Sequence, residues 1–218
     1  MKQNRITHIQ LCAFFISIML MTCVSVWGES SMEQAFAEMP DSIIPYLTKN
    51  NRLDCIDFMK NNMKAEVENK FGGKSVLTAM TDNYLKLHLN EITDVEMKIF
   101  KVEGKDSILC MAKTIKTPEP DTEIIFYDLN WKPIEDVTPF GSIGSRFLDE
   151  PSGKADYKVQ GSNGSNEPTM YEVTLSKDDE TITIKSHRFY TNDKDLKDAA
   201  ETTIKYKWNG KTMEQELH

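Results

Sequence analysis

Two tyrosine and tryptophan pairs carry the clearest binding chemistry in the chain. Tyr127 and Trp131 lie in the segment FYDLNWKPIED, and Tyr206 and Trp208 lie in KYKWNGKTMEQ. Exposed aromatic rings can stack on a sugar or a peptide, so these four are candidate binding residues. Single tryptophans at hairpin corners more often pack into a core, and we favour that structural alternative.

No catalytic residue is predicted. A catalytic dyad would need His88 or His187, because the remaining histidine beyond the N-terminal segment is the terminal His218. Both lie in alternating strand segments, where a solvated surface histidine is typical. Carboxylates near Asp149 and Asp193 offer the alternative, a carboxylate-dependent hydrolase. We therefore favour a non-enzymatic protein over that hydrolase.

Metal and cofactor motifs are also missing from the sequence. It contains no CxxC and no HExxH motif. The acidic residues 193–201 lack the central glycine of a calcium-binding loop, and the glycine-containing residues 139–144 lack the Gly-Lys-Ser/Thr of a phosphate-binding loop. We therefore predict no metal site and no cofactor.

Cys55 and Cys110 are a disulfide candidate. Cys12 and Cys23 lie in the N-terminal segment, which leaves these two as the pair in the rest of the chain. Cys55 falls on the buried side of a predicted helix, and Cys110 lies in an apolar strand segment. A disulfide and two reduced core cysteines both fit this placement.

The first 28 residues resemble a secretory signal peptide. Lys2 and Arg5 precede a nearly continuous apolar stretch over residues 11–27, and cleavage is predicted near Gly28. A periplasmic or secreted protein is expected, without stable membrane insertion after cleavage. The alternatives are an uncleaved anchor and a lipoprotein acylated at Cys23.

Net charge limits the partners of the mature chain. Removal of residues 1–28 leaves 24 basic and 34 acidic residues, a formal charge of −10. Such a surface repels phosphate backbones and anionic lipid headgroups. Nucleic acid is therefore not an expected partner, and an unidentified protein or peptide is.

Periodicity divides residues 29–218 into a helical segment and two β units within one α+β domain. Residues 29–72 show helical spacing, with a stop at Pro40 and a second helix over residues 51–62. Alternation begins after residues 71–73, for example with Val95, Met97 and Ile99 against Glu96 and Lys98, the pattern of a half-buried strand.

The two β units resemble each other. Residues 96–101 align with 170–175, residues 107–114 align with 181–188, and Tyr127 aligns with Tyr206. The first unit is placed at residues 75–137 and the second at 166–216. We predict short N-terminal helices followed by an antiparallel sheet of about eight strands, built from two related β-meander units.

The segments FAEMP, NRLDCIDF and LKL resemble a family of secreted proteins of unknown function found in Bacteroides-type bacteria. The resemblance implies a Gram-negative envelope location and transfers no catalytic motif. The doubled architecture also resembles β-lactamase-inhibitor-like proteins, although the second half lacks matching helices.

These observations together predict an exported envelope protein that binds a protein or peptide through a sheet face or an edge strand. Besides the hydrolase, the alternative is a small-ligand carrier. Its pocket would lie between the helices and the sheet, lined by Phe58, Met59 and the strand from Leu85 to Leu89.

Overall fold

The computed structural model describes residues 31–116, 119–134, 169–188 and 202–216. Two helices come first in these ranges, α1 (Met32–Glu38) and α2 (Lys49–Lys60). α2 begins before the predicted residue 51 because Thr48 caps it. The Thr48 hydroxyl accepts the Asn51 backbone N–H at 3.1 Å, and the Asn51 side chain accepts the Thr48 N–H at 3.1 Å. Neither described helix is long and apolar enough to cross a membrane.

The described residues also form ten strands in two antiparallel sheets, not the single sheet of about eight strands that we predicted. Both sheets are meanders, with strand orders β1-β2-β3-β4-β5-β6 and β10-β9-β8-β7. The strands are β1 (Ala65–Glu68), β2 (Lys74–Met80), β3 (Tyr84–His88), β4 (Thr93–Phe100), β5 (Ile108–Ile115), β6 (Asp121–Tyr127), β7 (Thr169–Leu175), β8 (Thr181–Arg188), β9 (Thr202–Trp208) and β10 (Met213–Glu216).

β1 corrects the boundary of the predicted helical segment, because it lies within residues 29–72. Its four residues alternate between buried Ala65 and Val67 and more exposed Glu66 and Glu68. So short an alternation gives little periodic signal beside a helix. Pairing with β2 across the turn at residues 69–73 makes it a strand.

The six-stranded sheet lies between the helices and the four-stranded sheet. One core packs the helices on its first face, which we call the helix-facing face. A second core packs the four-stranded sheet on the opposite face, which we call the interlayer face. β4 runs through the centre and is buried along almost its whole length, including Glu96 and Lys98. The half-buried strand predicted there, with those two charges in solvent, is therefore wrong.

Arg52 organises the helical layer from within. Its fully buried guanidinium donates to the backbone carbonyls of Phe36 at 2.9 Å and Leu47 at 3.0 Å, and also to that of Met39. The Asp41 carboxylate accepts a further bond at 2.9 Å. A planar guanidinium with five donors suits this convergence of carbonyls, which holds α1 and the following turn against α2.

Candidate functional site

The four aromatic residues predicted to bind a ligand are all buried. Tyr127, Trp131, Tyr206 and Trp208 each expose 6% or less of their surface. A stacking platform needs an exposed ring face, whereas these rings contribute to the two cores. The structure therefore shows these four residues packed in the cores, which is the alternative that we favoured. Their role in binding stays a prediction.

Trp131 lies just after β6 and Trp208 ends β9, and the two tryptophans pack on different faces of the six-stranded sheet. Trp131 packs against Tyr127 with ring centroids 5.3 Å apart, and its indole N–H donates to the Ala35 carbonyl at 2.9 Å. Trp208 packs against Phe100 at 6.0 Å, and its N–H donates to the Lys101 carbonyl at 2.7 Å. Each indole thus joins its corner to a different part of the chain.

Cys55 and Cys110 are free, buried thiols. Cys55 belongs to the core on the helix-facing face, and Cys110 belongs to the core on the interlayer face. Burial raises the pKa of Cys55 to about 11 and also raises that of Cys110, so both thiols are protonated at neutral pH. The structure therefore has the reduced alternative, not the disulfide.

His88 lies in a polar group on the interlayer face. Its Nδ1 is 2.6 Å from an Asp94 carboxylate oxygen, and Lys116 Nζ lies 3.0 Å from the same oxygen. Burial acts to raise the pKa of Asp94, but the bonds from His88 and Lys116 outweigh it and hold that pKa below its usual value. In the described ranges, no serine, threonine or cysteine side chain bonds to the imidazole. The group therefore has the histidine and carboxylate of a dyad without a nucleophile.

Other predicted site residues fall elsewhere. Phe58 and Met59, the expected lining of a carrier pocket, pack against the same core as Leu85, Leu87 and Leu89. Several predicted sites lie outside the described residues, namely Asp149, Asp193, the segment 193–201, Cys23 and the signal peptide. The side chain of His187 is not described either. Over the described ranges, no three histidine, cysteine, aspartate or glutamate side chains are grouped to hold a metal ion.

Polar side chains of β4 and β6 bind the outer edge of β7. The backbone N–H of Tyr171 donates to Asp121 Oδ1 at 3.3 Å. That of Val173 donates to Thr122 Oγ1 at 3.0 Å, and that of Leu175 donates to Glu96 Oε2 at 2.7 Å. An edge strand presents such N–H groups at alternate residues. Side-chain oxygens take the place of a neighbouring strand here, so these polar groups hold the two sheets together.

Three large apolar side chains remain exposed at one end of the six-stranded sheet. Phe71 in the β1–β2 turn is 67% exposed, Ile92 in the β3–β4 turn is 47% exposed, and Ile115 at the end of β5 is 46% exposed. Alternate turns of an antiparallel meander lie at the same end of the sheet. Together with Tyr46, these residues form what we call the turn-end surface.

Direct contacts connect the turn-end surface. The Phe71 ring packs edge-on against Tyr46, with centroids 4.8 Å apart. The Tyr46 hydroxyl accepts a bond from the Asn90 side chain at 3.1 Å, in the turn that carries Ile92. The Lys116 N–H then donates to the Ile92 carbonyl at 2.8 Å, beside Ile115. Contiguous exposed apolar residues are typical of interaction sites.

The sequence interpretation missed this surface, because a period of two does not report which strand ends stay exposed. One signal was present. Phe71 is a large apolar residue between Lys70 and the pair Gly72-Gly73, within a turn sequence that has no local reason to carry one.

The helical layer and the two antiparallel sheets define a β-rich α+β protein. The chain belongs to the DUF3256 family of proteins of unknown function, whose model matches residues 25–213. The predicted membership of an unknown-function family is thereby confirmed.

A solved domain of an uncharacterized protein from Porphyromonas gingivalis W83 has a similar structure, with a TM-score of 0.64 and 20% sequence identity. The similarity covers 85% of this chain and 98% of that chain, and at this identity it shows the fold alone. A search of the curated proteins found no match.

Proposed function

We propose that the chain is an exported envelope protein that binds a partner protein or peptide without catalysing a reaction, and that the turn-end surface makes the contact. The observation that carries this proposal is the row of three apolar side chains, Phe71, Ile92 and Ile115, that remain exposed at one end of the sheet. Burying apolar surface is worth roughly 25 cal/mol per Å², so a partner that covers this row would gain affinity from it. The signal-like N-terminal segment supports export.

Two of the four outer strands, β1 and β10, are poor templates for an added peptide strand. β1 and β10, at the ends of the two strand orders, have four residues each. β1 carries Glu66 and Glu68, and β10 carries Glu214 and Glu216. Short, charged edges resist strand addition. A third outer strand, β7, already has three N–H groups bonded to side chains, those of Tyr171, Val173 and Leu175. At these three edges, a partner held by side-chain contacts fits better than one held by strand pairing.

Two carboxylates of the interlayer face, Glu96 and Asp94, are engaged internally. Glu96 accepts bonds from Lys86 at 2.8 Å and from the Leu175 N–H at 2.7 Å. Asp94 is paired with His88 and Lys116. Groups that stabilise one another in this way are weak candidates for acid–base chemistry, which supports binding over hydrolysis.

Crosslinking followed by pull-down of the tagged chain from its native envelope tests the proposal. We expect the wild type to recover a partner, and Phe71→Ser or Ile115→Ser to reduce its yield about tenfold or more, because each apolar side chain contributes roughly 1.5–3 kcal/mol when buried. Met63→Ser is the matched control, since Met63 is 58% exposed just before the opposite end of β1.

Two results would contradict the proposal. Recovery of the chain alone at its natural abundance would argue against a binding module. Equal partner yields from the wild type and Phe71→Ser would exclude the turn-end surface as the site. Export is checked separately by cell fractionation and N-terminal sequencing, which should find an envelope protein starting near Glu29.

A further inference from the structure

Three polar side chains converge where the β2–β3 turn, β4 and the β7–β8 turn meet. Asn83 Nδ2 donates to Glu180 Oε1 at 3.2 Å, and Lys98 Nζ lies 3.9 Å from Glu180 Oε2. The Ile99 N–H also donates to the Asn83 carbonyl at 2.9 Å, which holds the two backbones together. One carboxylate therefore faces both the amide nitrogen of Asn83 and the amine of Lys98.

The amine of this group is shielded from water. Lys98 is fully buried, and its partners on the neighbouring strands, Tyr84 and Cys110, belong to the interlayer core. Its Nζ donates to the Ser176 carbonyl at 2.9 Å. The buried Oε2 of Glu180 has no hydrogen-bond partner within the described residues. A buried carboxylate oxygen without a donor is costly, which favours the neutral form of this carboxyl group, although the Glu180 side chain as a whole is 37% exposed.

Burial shifts both ionisable groups toward their neutral forms. It lowers the pKa of the Lys98 amine, although the negative charge of Glu180 acts in the opposite direction. It also raises the pKa of the Glu180 carboxyl, against the opposing effect of Lys98. A neutral amine is a nucleophile, and a neutral carboxylic acid can donate a proton.

We propose that Lys98 and Asn83 form an intramolecular amide bond, with Glu180 as the proton-transfer residue. Lys98 Nζ attacks Asn83 Cγ, a C–N bond forms between them, and the bond from Cγ to Nδ2 breaks. Ammonia leaves, and no oxidant, reductant or external reactant is needed. The product is a covalent link between β4 and the turn that precedes β3.

The positions of the two carboxyl oxygens suit this proton transfer. Oε1 lies at the leaving nitrogen of Asn83 and can protonate it as it departs. Oε2 lies nearer the attacking amine of Lys98 and can accept its proton, which regenerates the acid. Both reacting side chains thus lie against the two oxygens of one carboxyl group, which places Lys98 and Asn83 on the same acid.

Tryptic peptide mapping of the purified full chain by mass spectrometry tests this bond. We expect the peptides containing Asn83 and Lys98 as one joined species, lighter than their sum by one ammonia. Separate, unmodified peptides would overturn the proposal and leave an ordinary ion pair. A joined species that lacks one water and links Lys98 to Glu180 would also overturn it.

Two variants separate proton transfer from simple charge. Glu180→Gln keeps the size of the side chain but cannot act as an acid, so the bond should form about 100-fold or more slowly. Asp178→Asn is the matched control, because it removes a nearby negative charge that also acts on Lys98 from the same turn. It should map like the wild type. Equal bond formation in Glu180→Gln would refute the role of Glu180.

Discussion

Both faces of the six-stranded sheet carry an apolar core, but β4 adds charged groups to one of them only. On the helix-facing face, β4 contributes Val95, Met97 and Ile99 to an apolar core. On the interlayer face, the same strand contributes Glu96 and Lys98, which bond to β7 and to the turn after it. Apolar burial is non-directional, whereas a hydrogen bond fixes distance and angle. The first face thus supplies stability, and the second also positions the four-stranded sheet.

Arg52 shows that a buried charge need not join layers. Its partners, the carbonyls of Phe36, Met39 and Leu47 with Asp41, all lie in the helical segment itself. The interlayer groups instead bond across to another sheet. This difference leads us to expect global effects from changes on the helix-facing face and local undocking from changes on the interlayer face.

The largest effect is expected from Leu87→Ala on the helix-facing face. Leu87 is fully buried in the apolar core, and its truncation should lower the free energy of unfolding by about 2–5 kcal/mol. Urea denaturation measures the change. Leu53→Ala is the matched control, because Leu53 is 43% exposed on α2 and should shift stability by no more than about 0.5 kcal/mol. Similar losses in both variants would contradict the assignment of this core.

A smaller, more local effect is expected from Glu96→Ala on the interlayer face. It leaves the Leu175 N–H without its acceptor, which should cost about 1–3 kcal/mol. Lys86 is partly exposed and can regain water. Hydrogen exchange should quicken at Leu175 more than at Leu87, which would show undocking of β7.

A second glutamate serves as the control for that comparison. Glu123 also pairs with a lysine across neighbouring strands, but both partners are well exposed, with 3.5 Å between Glu123 and Lys113. Exposed pairs contribute about 0–1 kcal/mol, so Glu123→Ala should be nearly silent. Uniformly faster exchange in Glu96→Ala, on both faces alike, would remove the distinction between them.

The smallest effect is expected from Asp94→Asn, and it should depend on pH. The pKa of Asp94 lies below its ordinary value of 3.8 in the folded chain, so the charged carboxylate stabilises the fold. That contribution is present at neutral pH and is lost as the pH falls below the ordinary value and through the lower folded one. The variant should therefore be less stable than the wild type at neutral pH, and the gap should close in acid.

Urea midpoints measured from about pH 7 to about pH 2 test this, with the exposed Asp54→Asn on α2 as the control. A gap that stays constant across that range would mean that Asp94 acts through packing and not through its charge.

Local features of the sequence anticipated most of the helices and strands. The spacing of Met32 and Phe36 with the stop at Pro40 matches α1, and the alternation over residues 181–188 matches β8. The predicted meander pairing is also present, since β4 to β6 and β7 to β9 each pair consecutively, whereas the relation between the two units stays a prediction. Such signals are carried by neighbouring residues, so the sequence alone suffices to find them.

The candidate site could not be predicted from such local signals. Phe71, Ile92 and Ile115 are separated in the chain and form one surface because alternate turns of the sheet meet at one end. Asn83, Lys98 and Glu180 come together across two sheets whose separation the sequence pattern did not show. Both groups depend on how strands are arranged in space.

The sequence by itself determined which residues alternate, and therefore which side chains share a face of each strand. Tertiary structure decided what covers each face. Alternation of Val95 and Met97 with Glu96 and Lys98 suggested that the charged side meets water, yet a second sheet buries it. The physical reason is that a buried polar or ionisable group is stable only when partners complete its hydrogen bonds, and those partners come from β7 and the turn after it.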